Sequence, residues 1–216
     1  MDKEKLEKAL KELRKSSKKR KFAQGVDLII NLKNIDFKKP ENHIELFISL
    51  HTKKKTNKIC AFVGPELAED AKAIGITTIQ EKAFDEYAKD KKKIKRLSED
   101  HDFFIAQANI MPKVAAVFGR VLGPRKKMPN PKAGCVVPPK GSLKPLVEKL
   151  GRSVKVVAKD RPVIQVSVGD ENMADEQIIT NMMDVYNHLA HKVHDEKNNI
   201  KDVFIKFTMS KAVKVL

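Results

Sequence analysis

Leu6, Leu10 and Leu13 recur at spacings of four and three, with Ala9 beside them. That period predicts an opening helix with one stripe facing a core. Glu4 with Lys8 and Glu7 with Lys11 place a carboxylate one turn before an ammonium, the favourable order on a helix. Two strands are predicted next, Val26–Leu32 and Ile44–Leu50, separated by a turn-prone segment with Pro40 and Asn42. After the basic break Lys53–Lys58 the rhythm changes to alternating strands and helices. Apolar runs at 59–63, 76–79 and 102–106 read as buried strands, with helices at 66–73 and 84–97. A further helix carries Val114, Val117 and Phe118 on one face. Another, Leu143–Leu150, should end at Gly151, a residue suited to a C-terminal cap. The tail predicts strands at 154–157 and 163–168, then a helix from about Asp175 to Val193 burying Ile178, Met182, Tyr186, Leu189 and Val193. A strand at 203–207 and a short final one follow.

Neither the helix-strand-strand opening nor the strand-helix-strand ending can close a sheet alone. The simplest solution pairs them. The expected architecture is therefore two domains of mixed α/β and α+β class: a split α+β domain from residues 1–55 plus 155–216, and an inserted three-layer Rossmann-like α/β domain from 56–154. Two chain crossings between such bodies favour a hinge.

Composition narrows the partners. The 216 residues hold 44 Lys and Arg against 28 Asp and Glu, a net charge of +16, which a polyanion would relieve. No apolar run reaches the ~18 residues of a membrane span and no export signal is evident, so the expected setting is cytoplasmic with no membrane partner. Cys60 and Cys135 lie far apart and form no C-x-x-C pair, which removes disulfide and zinc-ribbon readings.

The charge is concentrated. Residues 1–21 carry ten bases and four acids, ending in Lys18, Lys19, Arg20 and Lys21 followed by Phe22. Cations that hold phosphate beside a ring that packs on a ribose or base suit RNA; a solvated helix end is the bland alternative. Residues 170–196 reverse the sign, with seven acids and one base, so that helix should face away from a polyanion. A second basic segment runs from Gly123 to Gly134 with Arg125, Lys126, Lys127 and Lys132 and no acid. It lacks both G-x-x-x-x-G-K-[ST] and G-x-G-x-x-G, so a basic nucleotide-binding α/β enzyme is the unfavoured alternative. His188, His191 and His194 point away from the apolar stripe and lack the pattern of a zinc site. No catalytic motif, metal or cofactor is expected. Thr208, Met209 and Ser210 read on physics alone as a turn with a core methionine, and secondarily as hydroxyls and a pliable contact for RNA.

The run Leu122-Gly-Pro-Arg-Lys-Lys-Met-Pro-Asn-Pro-Lys-Ala-Gly134 resembles the signature of the ribosomal protein L-one family, and the Thr208-Met209-Ser210 ending resembles its archaeal branch. The resemblance implies a structural, non-enzymatic protein of the large ribosomal subunit, monomeric when free. Its partner would be the rRNA of the mobile stalk near the exit site for tRNA, with its own mRNA as a target for repression. It also implies RNA contacts in the first domain at Lys21-Phe22 and Thr208-Met209-Ser210, where Ser210 replaces the usual Gly. A further basic contact falls near Arg161. A family serine falls on Asp202, whose charge would repel phosphate, so that role is not carried over.

Overall fold

A computed structural model of the chain describes residues 2–52, 57–139, 141–159, 161–193 and 199–216. In chain order the elements are α1 (Lys3–Ser16), β1 (Gly25–Leu32), β2 (Ile44–Ser49), β3 (Ile59–Val63), α2 (Ala68–Ala73), β4 (Thr77–Gln80), α3 (Phe84–Lys89) and α4 (Lys91–Asp100). There follow β5 (Phe103–Gln107), α5 (Met111–Leu122), β6 (Val136–Val137), α6 (Lys144–Arg152), β7 (Ser153–Ala158), β8 (Val163–Asp170), α7 (Asp175–Lys192), β9 (Ile200–Phe207) and β10 (Val213–Lys214). The chain divides into two compact units, Met1–Lys55 with Arg152–Leu216, and Thr56–Gly151. The return crossing falls slightly before the 154/155 break read from the sequence, because β7 begins at Ser153 and pairs with β2 along its length. Gly151 does not cap α6, which continues through it to Arg152; its carbonyl instead accepts the Asn57 N–H at 3.0 Å. Most of the outward crossing, residues 53–56, lies outside the described residues.

The terminal unit holds a four-stranded sheet in the order β10-β9-β1-β8, antiparallel throughout, and a separate β2–β7 ladder. β1 does not pair with β2, its successor in the chain; both of its neighbours come from the C-terminal segment. Its burial alternates strictly, with Val26, Leu28, Ile30 and Leu32 on the core side. Strand periodicity sends every second side chain to the same face, so one face of the sheet is apolar and the other open. α1 and α7 cover the apolar face, delivering Leu6, Leu10 and Leu13 from one and Ile178, Met182, Val185 and Leu189 from the other. Serine side chains end α1: Ser16 Oγ donates to the Leu13 carbonyl and Ser17 Oγ to that of Arg14. The Leu13 carbonyl also takes the Ser17 N–H at 3.0 Å, so these hydroxyls and that amide together serve carbonyls at the helix terminus.

The inserted unit has a parallel sheet ordered β4-β3-β5-β6. All five residues of β3 are buried, as a strand covered on both faces requires. On one face Phe62 stacks with Phe104 and meets Phe84 and Phe118, joined by Ile94 of α4 and Val114 and Leu122 of α5. Burial pushes the Cys60 thiol up to about 12, which leaves it an inert core residue.

In the β2–β7 ladder, Glu45 receives Lys155 Nζ on one carboxylate oxygen and Lys159 Nζ on the other, both at 2.8 Å. Burial works to raise the carboxyl, but the two lysines outweigh it and hold the pKa down to about 2 from an ordinary 4.5. A carboxylate whose pKa falls on folding adds stability that is full above its unfolded value and vanishes as pH drops through the folded one. Glu45→Gln is therefore expected to lower urea stability at pH 7 by about 1 kcal/mol, discounted for solvent screening. The gap between variant and parent should close between about pH 4.5 and pH 2. A gap that does not change over that window would contradict the assignment.

Candidate nucleic-acid interface

The antiparallel pairing of β1 with β9 sets Val26 opposite Phe207. The segment entering β1 and the segment leaving β9 must then lie side by side, although some 180 residues separate them in sequence. Side chains complete the junction. The Thr208 N–H donates to the Gly25 carbonyl at 3.1 Å, and the Thr208 hydroxyl accepts the Gly25 N–H at 3.1 Å. Its own proton has only a long 3.5 Å contact to the Gly25 carbonyl, so it can turn to a better acceptor.

Gln24 fastens the rest. It is 1% exposed, and its Oε1 accepts the Met209 N–H at 3.2 Å. Its Nε2 donates to the Lys18 carbonyl at 3.4 Å and to the Glu171 carboxylate at 3.2 Å. Three segments are thus tied to one buried amide. Arg14 adds a second tie, from the end of α1 to Asp175 and to the carbonyls of Glu171 and Met173. Neither residue stands out in the sequence. The signal for Gln24 is a Gln directly before an alternating strand, too common a pattern to be noticed.

Lys18, Lys19, Arg20, Lys21 and Phe22 all lie exposed on this edge, and the four cations make no ion pair among the described residues. Helix-dipole stabilisation explains Arg14 and Lys15 but fades beyond the last turn, which ends at Ser16. Phe22 is 51% exposed and Met209 is 58% exposed. The next most open large apolar side chain among the described residues is Leu216, at 39%. Phe22 is two Cα steps, at most about 7.6 Å, from the Gln24 that holds Met209. The turn reading of 208–210 also holds: the Ser210 N–H donates to the Phe207 carbonyl, and its Oγ accepts the Phe207 N–H at 2.9 Å and donates to the Lys211 carbonyl. Ser210 shows no positive φ, so replacing glycine there needs no left-handed backbone. Its hydroxyl is committed to the turn. Met209 is not a core residue.

From this edge the uncovered face of the sheet runs the length of β1. It presents Asp27, Ile29 and Asn31, then Gln165 and Ser167 from β8, and Phe204 and Lys206 from β9. Asp27, Lys206, Gln165 and Ser167 border a shallow hollow of about 220 Å³. Burial raises the Asp27 carboxyl above its usual value, partly offset by Lys206. Asp202, also on this face, is held 2.6 Å from Lys214, whose hydrogen bond lowers its pKa. Its charge is therefore compensated within the protein. The helix α7 lies under the covered face, but the acids that lead into it, Glu171 and Asp175, reach the site edge through Gln24 and Arg14.

Arg161 is exposed but stands at the far end of the sheet, since the carbonyl of neighbouring Pro162 accepts the N–H of Leu32. The loop cations belong to the other unit. Two of them are structural: Lys127 Nζ donates to the carbonyls of Ser98 and His101 at 2.7 Å each, and Arg125 binds Ser98 Oγ and Glu99. Lys126 occupies a left-handed φ of 58°, while Lys132 is exposed. His194 lies outside the described residues; His188 bonds the Asp184 carbonyl one turn back.

A sequence profile of the Ribosomal protein L1p/L10e family matches residues 13–211. A protein of Methanocaldococcus jannaschii named large ribosomal subunit protein uL1 is 43% identical over 216 residues, covering 100% of this chain and 96% of the relative. Proteins of the same name from Pyrococcus horikoshii and Archaeoglobus fulgidus are 40% and 38% identical, over 99% and 100% of this chain and 96% and 99% of their own lengths.

Gln24→Ala should strand the Met209 N–H and loosen all three segments, costing about 1–3 kcal/mol of stability. Amide exchange at Gly25, Thr208 and Met209 should quicken with it. Unaltered exchange at those positions would show that the amide does not hold the edge together.

Proposed function

The chain belongs to the Ribosomal protein L1p/L10e family, and from that premise we propose that its terminal unit binds the structured rRNA of the large-subunit stalk. The observation that carries this reading is that Gln24 ties together the segments bearing four exposed cations, exposed Phe22 and exposed Met209. Folded RNA is recognised through phosphates, ribose hydroxyls and unstacked bases rather than through its deep, narrow major groove. In this reading Lys18–Lys21 hold phosphates, and Phe22 and Met209 pack on sugars or bases. The Thr208 hydroxyl turns its proton outward to a ribose or phosphate oxygen. Ser210 shapes the turn that presents Met209.

Arg161 joins only a ligand that lies along the whole open face. An eight-residue strand spans about 26 Å, a length that a short RNA helix covers. Ile29 and Phe204 supply apolar contact on the way, and Gln165, Ser167 and Asn31 supply hydrogen bonds. A single folded RNA thus accounts for both ends of the sheet. The same surface would take a mimic of that fold in the chain's own mRNA and so repress translation. Its place on the cytoplasmic ribosome would bring it near tRNA leaving the exit site. The role is structural and regulatory rather than enzymatic, in keeping with relatives named as ribosomal proteins.

Binding of a stalk rRNA fragment tests this directly. Phe22→Ala should weaken it by about 1–3 kcal/mol for the loss of a ring stacked on a base, or roughly 5- to 150-fold, and Met209→Ala by a similar amount for the apolar surface that it buries. Thr208→Ala should cost more than Lys8→Ala, which removes a cation from α1 on the covered side. Equal, small losses from all four substitutions would overturn the assignment of the edge.

A further inference from the structure

The terminal unit's RNA surface leaves the inserted unit without a role, yet that unit is also cationic. Residues 56–151 hold 18 Lys and Arg against 11 Asp and Glu. Ten of those bases fall in two short segments, six in 89–96 and four in 125–132, with Asp90 the one acid among them. About 30 residues of chain separate the segments, and the fold brings them together. Arg125 donates to the Lys95 carbonyl and to Ser98 Oγ, and Lys127 caps the Ser98 and His101 carbonyls, so the loop is fastened along α4.

The same bonds alter the charge balance on that surface. Glu99 of α4 is neutralised by Arg125, and Glu86 of α3 by Lys93. The Asp90 carboxylate is occupied as the cap of α4, accepting the N–H groups of Lys92 and Lys93. Lys89, Lys91, Lys92, Lys95, Arg96 and Lys132 remain exposed, with no ion pair among the described residues. Along α4, positions 91 and 95, and 92 and 96, are one turn apart, which sets the Cβ atoms of like-charged residues about 6 Å from one another.

This arrangement costs the fold stability. α1, α2, α3 and α7 all carry acids in the first turn and bases in the last. α4 runs the opposite way, opening on three lysines and closing on Glu99 and Asp100, against its own dipole. A merely solvated face gains nothing from that order.

We propose that α4 and the loop anchored to it form a second RNA surface, which grips phosphates through side chains and adds to the site on the terminal unit. It rests on the reading that the chain binds structured RNA. A surface of this kind reads no sequence, because its ligands are phosphate oxygens. It raises affinity by tethering a second stretch of the same RNA, or a neighbouring one, at high effective concentration.

The test is the full chain with Lys91→Gln, Lys92→Gln, Lys95→Gln and Arg96→Gln combined, titrated from 50 to 300 mM salt. The probes are a stalk rRNA fragment, an unrelated RNA duplex and polyglutamate. The variant should bind both RNAs about 10- to 100-fold more weakly at the low end of that range. The magnitude of its salt slope should fall by about two to four, near one for each phosphate no longer neutralised. It should melt no lower than the parent, since the removed charges oppose the helix dipole. A salt slope and affinity equal to the parent's overturn the second surface while leaving the terminal-unit site standing. Polyglutamate bound as tightly as RNA by the parent, and released by the variant, assigns the patch to an acidic protein and overturns it too. A parent that binds neither RNA overturns both readings together.

Discussion

The structure depends on the pairing of β1 with β9. Every feature of the proposed interface follows from that ladder: it alone sets the chain before Gly25 beside the chain after Phe207. The pairing is long-range, yet the inserted unit adds little to its cost. Loop-closure entropy grows only logarithmically with length, and lengthening the intervening chain by the 56–151 insertion costs about one doubling, roughly 0.6 kcal/mol. Burial of Leu28 and Ile30 on one side of β1, beneath α1 and α7, outweighs that many times over.

Once the ladder is formed, polar side chains convert adjacency into a fixed surface. Gln24 and Arg14 hold the basic segment, the Thr208 turn and the approach to α7 at distances of 2.7–3.4 Å. A surface held in advance loses less freedom on binding than two loose termini would. The exposed Phe22 and Met209 then make sense as contacts supplied at low entropic cost, whereas two mobile hydrophobic side chains would be a liability. The acids at the rim, Glu171 and Asp175, are turned to structural use by the same two residues.

Much of this is legible in the sequence. The stripe Leu6–Leu10–Leu13 and the alternation in 26–32 specify their elements locally, and the change of rhythm after Lys58 marks the parallel sheet. Phe22 emerges as a contact from the basic run that it ends, and Met209 only through the family resemblance; physics alone places Met209 in the core. Its exposure depends on the tight turn closed by Ser210, a geometry with no periodic signature. Arg161 joins Lys18–Lys21 through the family resemblance, and only the antiparallel run of β8 reveals that a whole strand length lies between them. The loop cations mislead in a different way. Arg125 and Lys127 look like phosphate ligands until α4's C-terminal carbonyls are seen to need donors, a demand that composition cannot express.

The most direct test of the account is backbone amide NMR of the full chain during titration with a stalk rRNA fragment. Joint perturbation of residues 18–27 and 206–210, along with the open-face strands that join them to Arg161, is the predicted result. Perturbation of one terminal segment without the other, or its absence from both, would contradict the claim that the chain ends build a single binding edge.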